Sequence, residues 1–128
     1  MVTACQENFD SRCQREAKEY TQRFCPQKMD ENITLDSTTY DKGSRTYRYY
    51  YSIDKNANTA SIRAQLKSQE NDFRSKLLLM LINSVQLKPY KDKGINFEYI
   101  YTYTDESSPF IKIHFSHNDY TKGKTSSH

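Results

Sequence analysis

The stretch RTYRYYYSID, Arg45 to Asp54, places four tyrosines in the five positions from Tyr47 to Tyr51. Side chains on a β-strand alternate between the two faces of the sheet. One face of this strand would therefore carry Tyr47, Tyr49, Tyr51 and Ile53, and the other would carry Arg48, Tyr50, Ser52 and Asp54. Whether the ring-rich face is buried or open decides both the fold and the class of function.

The same alternation recurs in two later segments, residues 95–104 and 110–117. Their odd positions are occupied by Ile95, Phe97, Tyr99, Tyr101 and Tyr103, and by Ile111, Ile113 and Phe115. Burial of one face beneath helices produces this pattern. A surface that stacks bases or sugars would instead carry its rings on the open face, beside Arg and Lys. We therefore expect the tyrosines to lie mainly inside, and the open face to carry Arg48, Tyr50, Lys112 and His114.

Two segments have the helical spacing of apolar residues. Between residues 8 and 24, apolar positions recur at steps of three or four, and Pro26 ends the run. A second helix is predicted from residues 58–59 to residues 82–83. Its apolar stripe widens toward the C-terminus, which predicts that this end is the better buried one.

Two predicted hairpins complete the domain. The first joins strands at 33–40 and 46–53, and the second joins the strands at 95–104 and 110–117. The order of elements is therefore α-β-β-α-β-β. Strands grouped in hairpins favour an α+β fold, with a four-stranded antiparallel sheet and two helices packed on one face.

A chain of 128 residues suits a single domain. We expect a leader with a lipid-attachment tether over residues 1–7, the domain over 8–120, and a flexible tail over 121–128. Within the first helix, Cys13 and Cys25 would lie about 18 Å apart. A disulfide needs Cα atoms within about 7 Å, so these two thiols are not expected to bridge, and Cys13 is predicted to be buried.

The composition argues against several classes of function. The net charge of +3 is smaller than expected of a dedicated nucleic-acid-binding protein. The longest apolar run, Leu77 to Ile82, is too short to span a membrane. His114 and His117, three apart on a predicted strand, would face opposite sides of the sheet. With no catalytic motif and no phosphate-binding glycine loop, we expect neither an enzyme nor a cofactor nor a metal site.

The first cysteine lies in a lipobox-like tetrapeptide, Val2-Thr3-Ala4-Cys5, in which one apolar and two small residues precede the cysteine. The acidic segment QENFD (6–10) that follows resembles the signals after the lipidated cysteine in surface lipoproteins of the Bacteroidota. The resemblance implies lipid attachment at Cys5 and a location in the bacterial cell envelope, at the outer membrane or in the periplasm. If Cys5 is an ordinary thiol in a leader, a cytoplasmic location is the alternative.

The body of the chain is similar to small uncharacterised envelope lipoproteins of the same bacteria. Four segments carry the similarity: TLDS (34–37), RTYRYYY (45–51), LKPYKDKG (87–94) and FEYIY (97–101). That group has no settled activity, so the resemblance implies a location and no reaction.

Three functions are compatible with these patterns. The first is a non-enzymatic, envelope-tethered domain that binds a protein or glycan partner through its open sheet face or hairpin tips. The second is a nucleic-acid-binding module that uses Arg48, Tyr50, Lys112 and His114, with nucleic acid the less expected partner. The third is an enzyme with a tyrosine-lined pocket for a small ligand, since six phenol hydroxyls on one face cannot all be buried unpaired.

The basic residues near the first hairpin and on the connector before residue 95 offer one further surface. They are Lys42, Arg45, Arg48, Lys88, Lys91 and Lys93. A solvated face is favoured over a patch that binds phosphates or acidic polymers. The identity of the partner and the oligomeric state stay open.

Overall fold

A computed structural model describes residues 7–125 of the chain, with side chains to residue 121. The helices and strands follow one another in the order α1 (Phe9–Phe24), β1 (Gln27–Asp30), β2 (Ile33–Asp41), β3 (Thr46–Ile53), α2 (Ala60–Ser68), α3 (Glu70–Asn83), α4 (Lys88–Asp92), β4 (Asn96–Tyr103), β5 (Ile111–Phe115) and α5 (His117–Thr125). The predicted α+β class is confirmed.

The sheet differs from the prediction in strand number and in one pairing. Five strands lie in the order β1-β2-β3-β4-β5, and β3 and β4 run parallel, whereas the other neighbours are antiparallel. The chain between β3 and β4 crosses over through α2, α3 and α4, which returns β4 beside β3 in the same direction. The prediction of a four-stranded, fully antiparallel sheet was therefore wrong. β1 was not predicted because its four residues do not alternate between buried and exposed positions; all four are exposed.

The described part of the chain has five helices rather than the two that were predicted. The long second helix is divided at Gln69, after which Glu70 and Asp72 supply acidic residues to the first turn of α3. α5 begins at His117, where the last strand was predicted to end, and it extends to Thr125. The carboxylate of Asp119 accepts the backbone N–H of Ser116 at 2.7 Å, a helix-start contact that the Ser-x-x-Asp spacing could have indicated.

The first helix has the predicted bounds. The side-chain oxygen of Asn8 accepts the backbone N–H of Ser11 at 2.8 Å and caps the N-terminus of α1. Cys13 is fully buried, and both it and Cys25 are free thiols, as the spacing predicted. Burial raises the pKa of Cys13 to about 11, so this thiol stays protonated.

All the ring-rich strand positions face the helices. α1 lies over β2, α3 lies over β4, and α5 contacts the sheet through Tyr120, whose ring is 5.7 Å from that of Phe97. The core on this face includes Tyr47, Phe97, Tyr99, Tyr101, Tyr103, Ile113 and Phe115. The prediction that the rings lie inside is confirmed for these residues, whereas Tyr49 and Tyr51 are only half-buried.

Candidate functional site

The open face of the sheet brings together the four residues proposed from the sequence. Arg48 pairs across the strands with Glu98, which pairs with His114. The adjacent row runs from Tyr50 through Ile100 to Lys112. The candidate residues therefore form one patch on β3 and β5, separated by the central strand β4.

A nearly buried carboxylate organises this patch. Glu98 is 6% exposed, and its side chain accepts from Arg48 Nε at 2.7 Å and lies 3.2 Å from His114 Nδ1 and 3.9 Å from Lys112 Nζ. Burial acts to raise the pKa of Glu98. The hydrogen bonds with Arg48 and His114 and the charge of Lys112 outweigh it, so the pKa lies below its ordinary value.

Glu98 changes what the patch can bind. Its carboxylate compensates the guanidinium of Arg48, which also lies 3.7 Å from Asp41. A surface for nucleic-acid phosphates needs uncompensated cations, so the contacts of Glu98 weaken the nucleic-acid hypothesis. The alternation placed Glu98 on the polar face, and its central role follows only from the register of three strands.

A second candidate site is a cleft between α1 and α3, here called the α1–α3 cleft. Its floor is formed by Tyr49 and Tyr51 of β3. Tyr49 stacks on Tyr99 with ring centroids 4.9 Å apart, and Tyr51 stacks on Tyr101 at 4.5 Å. The floor is thus a double row of parallel phenol rings whose outer members, Tyr49 and Tyr51, are partly exposed.

The walls of the cleft include exposed apolar side chains beside the polar Glu16, Ser84 and Gln86. Tyr20 of α1 and Met80 of α3 line opposite sides and are 37% and 66% exposed. Phe24, one turn after Tyr20, is 50% exposed and its ring lies 4.9 Å from that of Tyr20. The prediction that the C-terminal end of the second helix is the better buried one is confirmed, since Leu77 and Leu81 of α3 are buried and α2 has no buried residue. Met80 is the exposed exception at this end.

One end of the cleft is closed by Tyr90 of α4. Its hydroxyl donates to the carboxylate of Glu16 on α1, and its ring lies 6.2 Å from Phe9 and 5.7 Å from Tyr47. Burial raises the pKa of Tyr90, and the hydrogen bond with Glu16 raises it further. The opposite end, beyond Phe24, has no such bridge among the described contacts.

The α1–α3 cleft is formed by two hollows that tyrosines line. Two adjoining hollows of about 330 and 180 Å³ share Tyr49, Ser84 and Leu87. Burial raises the pKa of Tyr51 to about 12 and that of Tyr49 well above its ordinary value. The phenols of the floor are therefore neutral at physiological pH and suit apolar contact better than proton transfer.

Three further observations concern the classes of site considered from the sequence. Within residues 7–125, no group of three or more His, Cys, Asp or Glu side chains is arranged to hold a metal ion. No helix in that range is long and apolar enough to cross a membrane. Cys5 and the rest of the lipobox-like tetrapeptide lie outside the described residues.

Comparisons with known proteins identify a domain family and a shared fold. The model of the family described as "Domain of unknown function (DUF8479)" matches residues 8–109. No curated protein matches this sequence.

Three solved structures are similar in fold. A candidate secreted protein of Pseudomonas aeruginosa aligns with a TM-score of 0.72 at 17% identity, over 87% of this chain and 91% of its own. The pilotin EpsS of the Vibrio vulnificus type 2 secretion system aligns at 0.61 and 9% identity, over 87% and 90%. The pilotin AspS of the Vibrio cholerae type II secretion system aligns at 0.58 and 15% identity, over 93% and 99%. At these identities the likeness shows the fold alone.

Proposed function

This chain belongs to the family described as "Domain of unknown function (DUF8479)", and we propose that it is a non-enzymatic, envelope-tethered domain that binds a protein partner in the α1–α3 cleft. The observation that carries the proposal is the partly exposed tyrosine floor between the exposed side chains of Tyr20 and Met80. Large exposed apolar patches on a protein surface mark interaction sites or ligand-binding grooves. Tyrosine supplies large contact area at a small cost in conformational entropy.

The occupant that fits this cleft is an amphipathic helix. β3, which forms the floor, is already paired on both sides, with β2 and with β4. The floor therefore offers side chains but no free backbone groups, so a strand could not pair with it. A segment that enters an apolar groove must then satisfy its own backbone hydrogen bonds, as a helix does.

Two cations on the rims indicate the polar face of that helix, since Glu16, the acidic residue that lines the cleft, pairs with Arg12 and accepts from Tyr90. Helical spacing places Arg23 of α1 on the side of Tyr20, and Lys76 of α3 one turn before Met80. Both are exposed, and neither has an ion pair among the described contacts. We expect acidic residues beside the apolar face of the partner helix, because they would pair with these two cations.

The similar folds support a protein partner at the envelope. Two of the three belong to type II secretion systems, and the third is a candidate secreted protein. A protein partner is therefore favoured over a glycan. The lipid anchor at Cys5 and the relation to envelope lipoproteins of the Bacteroidota remain proposals that rest on the sequence.

A tryptophan-containing peptide tests the cleft directly. The chain has no tryptophan, so a single Trp in a Leu/Glu amphipathic peptide would be the only indole in the mixture. We expect the Trp emission to shift to shorter wavelength on binding, and a Leu/Lys peptide to bind more weakly. Met80→Glu should abolish the shift. Leu79→Glu is the matched control, since Leu79 is 59% exposed but does not line the cleft. Equal binding by the two variants would refute the proposed site.

The anchor needs a separate test. In a precursor that carries an upstream export signal, Cys5→Ala should move the protein from the membrane to the soluble fraction. Cys25→Ala is the matched control and should remain with the membrane. Identical partitioning of the Cys5→Ala variant and the unaltered protein would rule out lipid attachment at this residue.

A further inference from the structure

We propose that the end of the molecule where α1 begins faces an anionic lipid surface, which it contacts through Lys42, Arg45 and Lys93. The inference rests on the proposed lipid attachment at Cys5. It adds an orientation and a second interaction surface, defined by these three residues and called here the basic end.

The three cations come from separate parts of the chain and meet at the first turn of α1. Lys42 and Arg45 belong to the turn between β2 and β3, and Lys93 follows α4. Each contacts a different residue of that turn: Lys42 Nζ donates to Ser11 Oγ at 3.0 Å, Arg45 Nε lies 3.4 Å from Asp10 Oδ1, and Lys93 Nζ lies 5.5 Å from the centre of the Phe9 ring.

Arg45 holds the basic end together. Its guanidinium also donates to the carbonyl of Lys93 at 3.4 Å, which links the hairpin turn to the segment after α4. Asn96 reinforces this link, since its backbone N–H donates to the carbonyl of Arg45 at 2.8 Å. Residues that are 48 apart in sequence are therefore fixed side by side, and the cluster is a built feature of the fold.

The basic end keeps an excess of positive charge. Among the described contacts, Asp10 is the one acidic residue that forms an ion pair with the basic end, through Arg45. The hydrogen bond from Tyr40 and the charge of Arg45 lower the pKa of Asp10. The nearby acids have other partners, because Asp41 accepts from Ser44 and lies 3.7 Å from Arg48, Asp92 pairs with Lys88, and Glu7 pairs with Arg15. Asp41 shares Arg48 with Glu98, and even if its carboxylate is counted in full, three cations against two carboxylates leave at least one net positive charge on this surface.

A short tether would bring this surface to the membrane. Phe9 is four positions after Cys5, and even a fully extended chain spans at most about 14 Å over that distance. An acyl group on Cys5 would therefore hold the first turn of α1 near the headgroups. Screening at physiological salt acts over about 8 Å, so cations at this end could interact with anionic lipid.

This orientation also determines which end of the α1–α3 cleft faces the lipid surface. Tyr90, which closes the α1–α3 cleft, contacts Phe9 and so lies at the basic end. The open end beyond Phe24 points the other way, at the opposite terminus of α1. A partner helix could then enter from the side away from the bilayer while the closed end faces the lipid.

Vesicle sedimentation of the unlipidated chain tests the inference. We expect the Cys5→Ser protein to bind mixed phosphatidylglycerol–phosphatidylcholine vesicles at low salt. It should not bind vesicles of pure phosphatidylcholine. Each basic residue near an anionic surface contributes about fivefold to partitioning, so the Lys42→Gln/Lys93→Gln double variant should bind about 25-fold more weakly. Both lysines are exposed, and thermal unfolding of the variant checks that the fold is intact.

A double variant at the far end of the sheet provides the matched control. Lys28 and Lys55 are exposed and lie near the other ends of β2 and β3, about 25 Å from the basic end along an eight-residue strand. Lys28→Gln/Lys55→Gln makes the same change in net charge and should bind as the unaltered chain does. Equal loss in both double variants, or no binding to anionic vesicles, would overturn the inference. Because this protein carries no acyl group, the outcome is independent of the Cys5→Ala fractionation.

Discussion

The hydroxyl of Thr21 on α1 bridges the backbone of Thr38 on β2: it accepts the Thr38 N–H at 2.8 Å and donates to the Thr38 carbonyl at 3.0 Å. Thr38 returns a bond, since its own hydroxyl donates to the carbonyl of Ala17 at 2.8 Å. β1 pairs with β2 only as far as Leu35, so the later half of β2 is an edge. α1 is therefore fastened by hydrogen bonds to a strand edge, and this position sets one wall of the α1–α3 cleft.

The Thr21–Thr38 contact predicts the effect of removing one hydroxyl. Thr21→Val should lower the free energy of unfolding by about 1–2 kcal/mol, because both backbone groups of Thr38 lose a partner in a partly buried setting. Chemical denaturation measures the loss. Thr39→Val, at an exposed position of the same strand, is the control and should change stability by less than about 0.5 kcal/mol. A larger loss in the control would contradict the proposed role of the edge contact.

Glu98 predicts a change in the pH dependence of stability. Its pKa is lower in the folded protein than the ordinary value of 4.5, so its ionised form stabilises the fold above that pH. The contribution is lost as the pH falls through the lower, folded value. Glu98→Gln should therefore destabilise the protein at neutral pH and flatten the decline in unfolding free energy below about pH 4.5.

Glu106→Gln is the matched control for that titration. Glu106 pairs with Arg63, but both side chains are more than a third exposed, and exposed pairs contribute little. Unfolding followed by circular dichroism between pH 3 and pH 7 compares the variants. If the slope for Glu98→Gln matches that of the unaltered protein, Glu98 does not carry the predicted acid sensitivity.

Gly94 occupies a position that requires glycine. Its φ of +71° lies in the left-handed region, and an added Cβ would meet the ring of His117 at 3.4 Å. Gly94→Ala should cost about 1–2 kcal/mol of unfolding free energy from the backbone conformation. Gly43 has no positive φ, and its nearest contact would be a side-chain oxygen at 3.6 Å, so Gly43→Ala should be close to neutral. Similar melting temperatures for the two variants would refute this difference.

The hydrogen bond between Tyr90 and Glu16 at the closed end of the cleft is expected to stabilise the fold. Tyr90→Phe keeps the ring contacts with Phe9 and Tyr47 but removes the hydrogen bond to the carboxylate of Glu16. We expect a loss of about 1–2 kcal/mol in unfolding free energy, because the acceptor is charged and only partly exposed. Tyr50→Phe on the open face is the control. Equal stability of both variants would show that the Glu16–Tyr90 contact does not fasten α1 to α4.

Local spacing determined a large part of this fold. The alternation in the tyrosine-rich strands predicted which side of the sheet is buried, and Tyr99, Tyr101 and Tyr103 lie there. The bounds of α1 follow from a cap at Asn8 and from Pro26 just after its end. These features depend on neighbours within a few residues, so the sequence alone contains them.

The pairing of β3 with β4 required the tertiary structure. An alternating strand has the same pattern whether its neighbour is parallel or antiparallel, and only the path of α2, α3 and α4 distinguishes the two. The open-face patch was predicted as four residues, but Glu98, its centre, is identified by the register across three strands.

The sequence by itself determined that the protein is an α+β domain with its tyrosines on the helical side of the sheet. Only the tertiary structure decided that Tyr99 is buried while its stacked neighbour Tyr49 is partly exposed on a cleft floor. Both residues have the same place in the strand alternation. Their exposure differs because helix α3 packs over β4 and leaves a gap beside α1, a spacing between distant elements that no local pattern encodes.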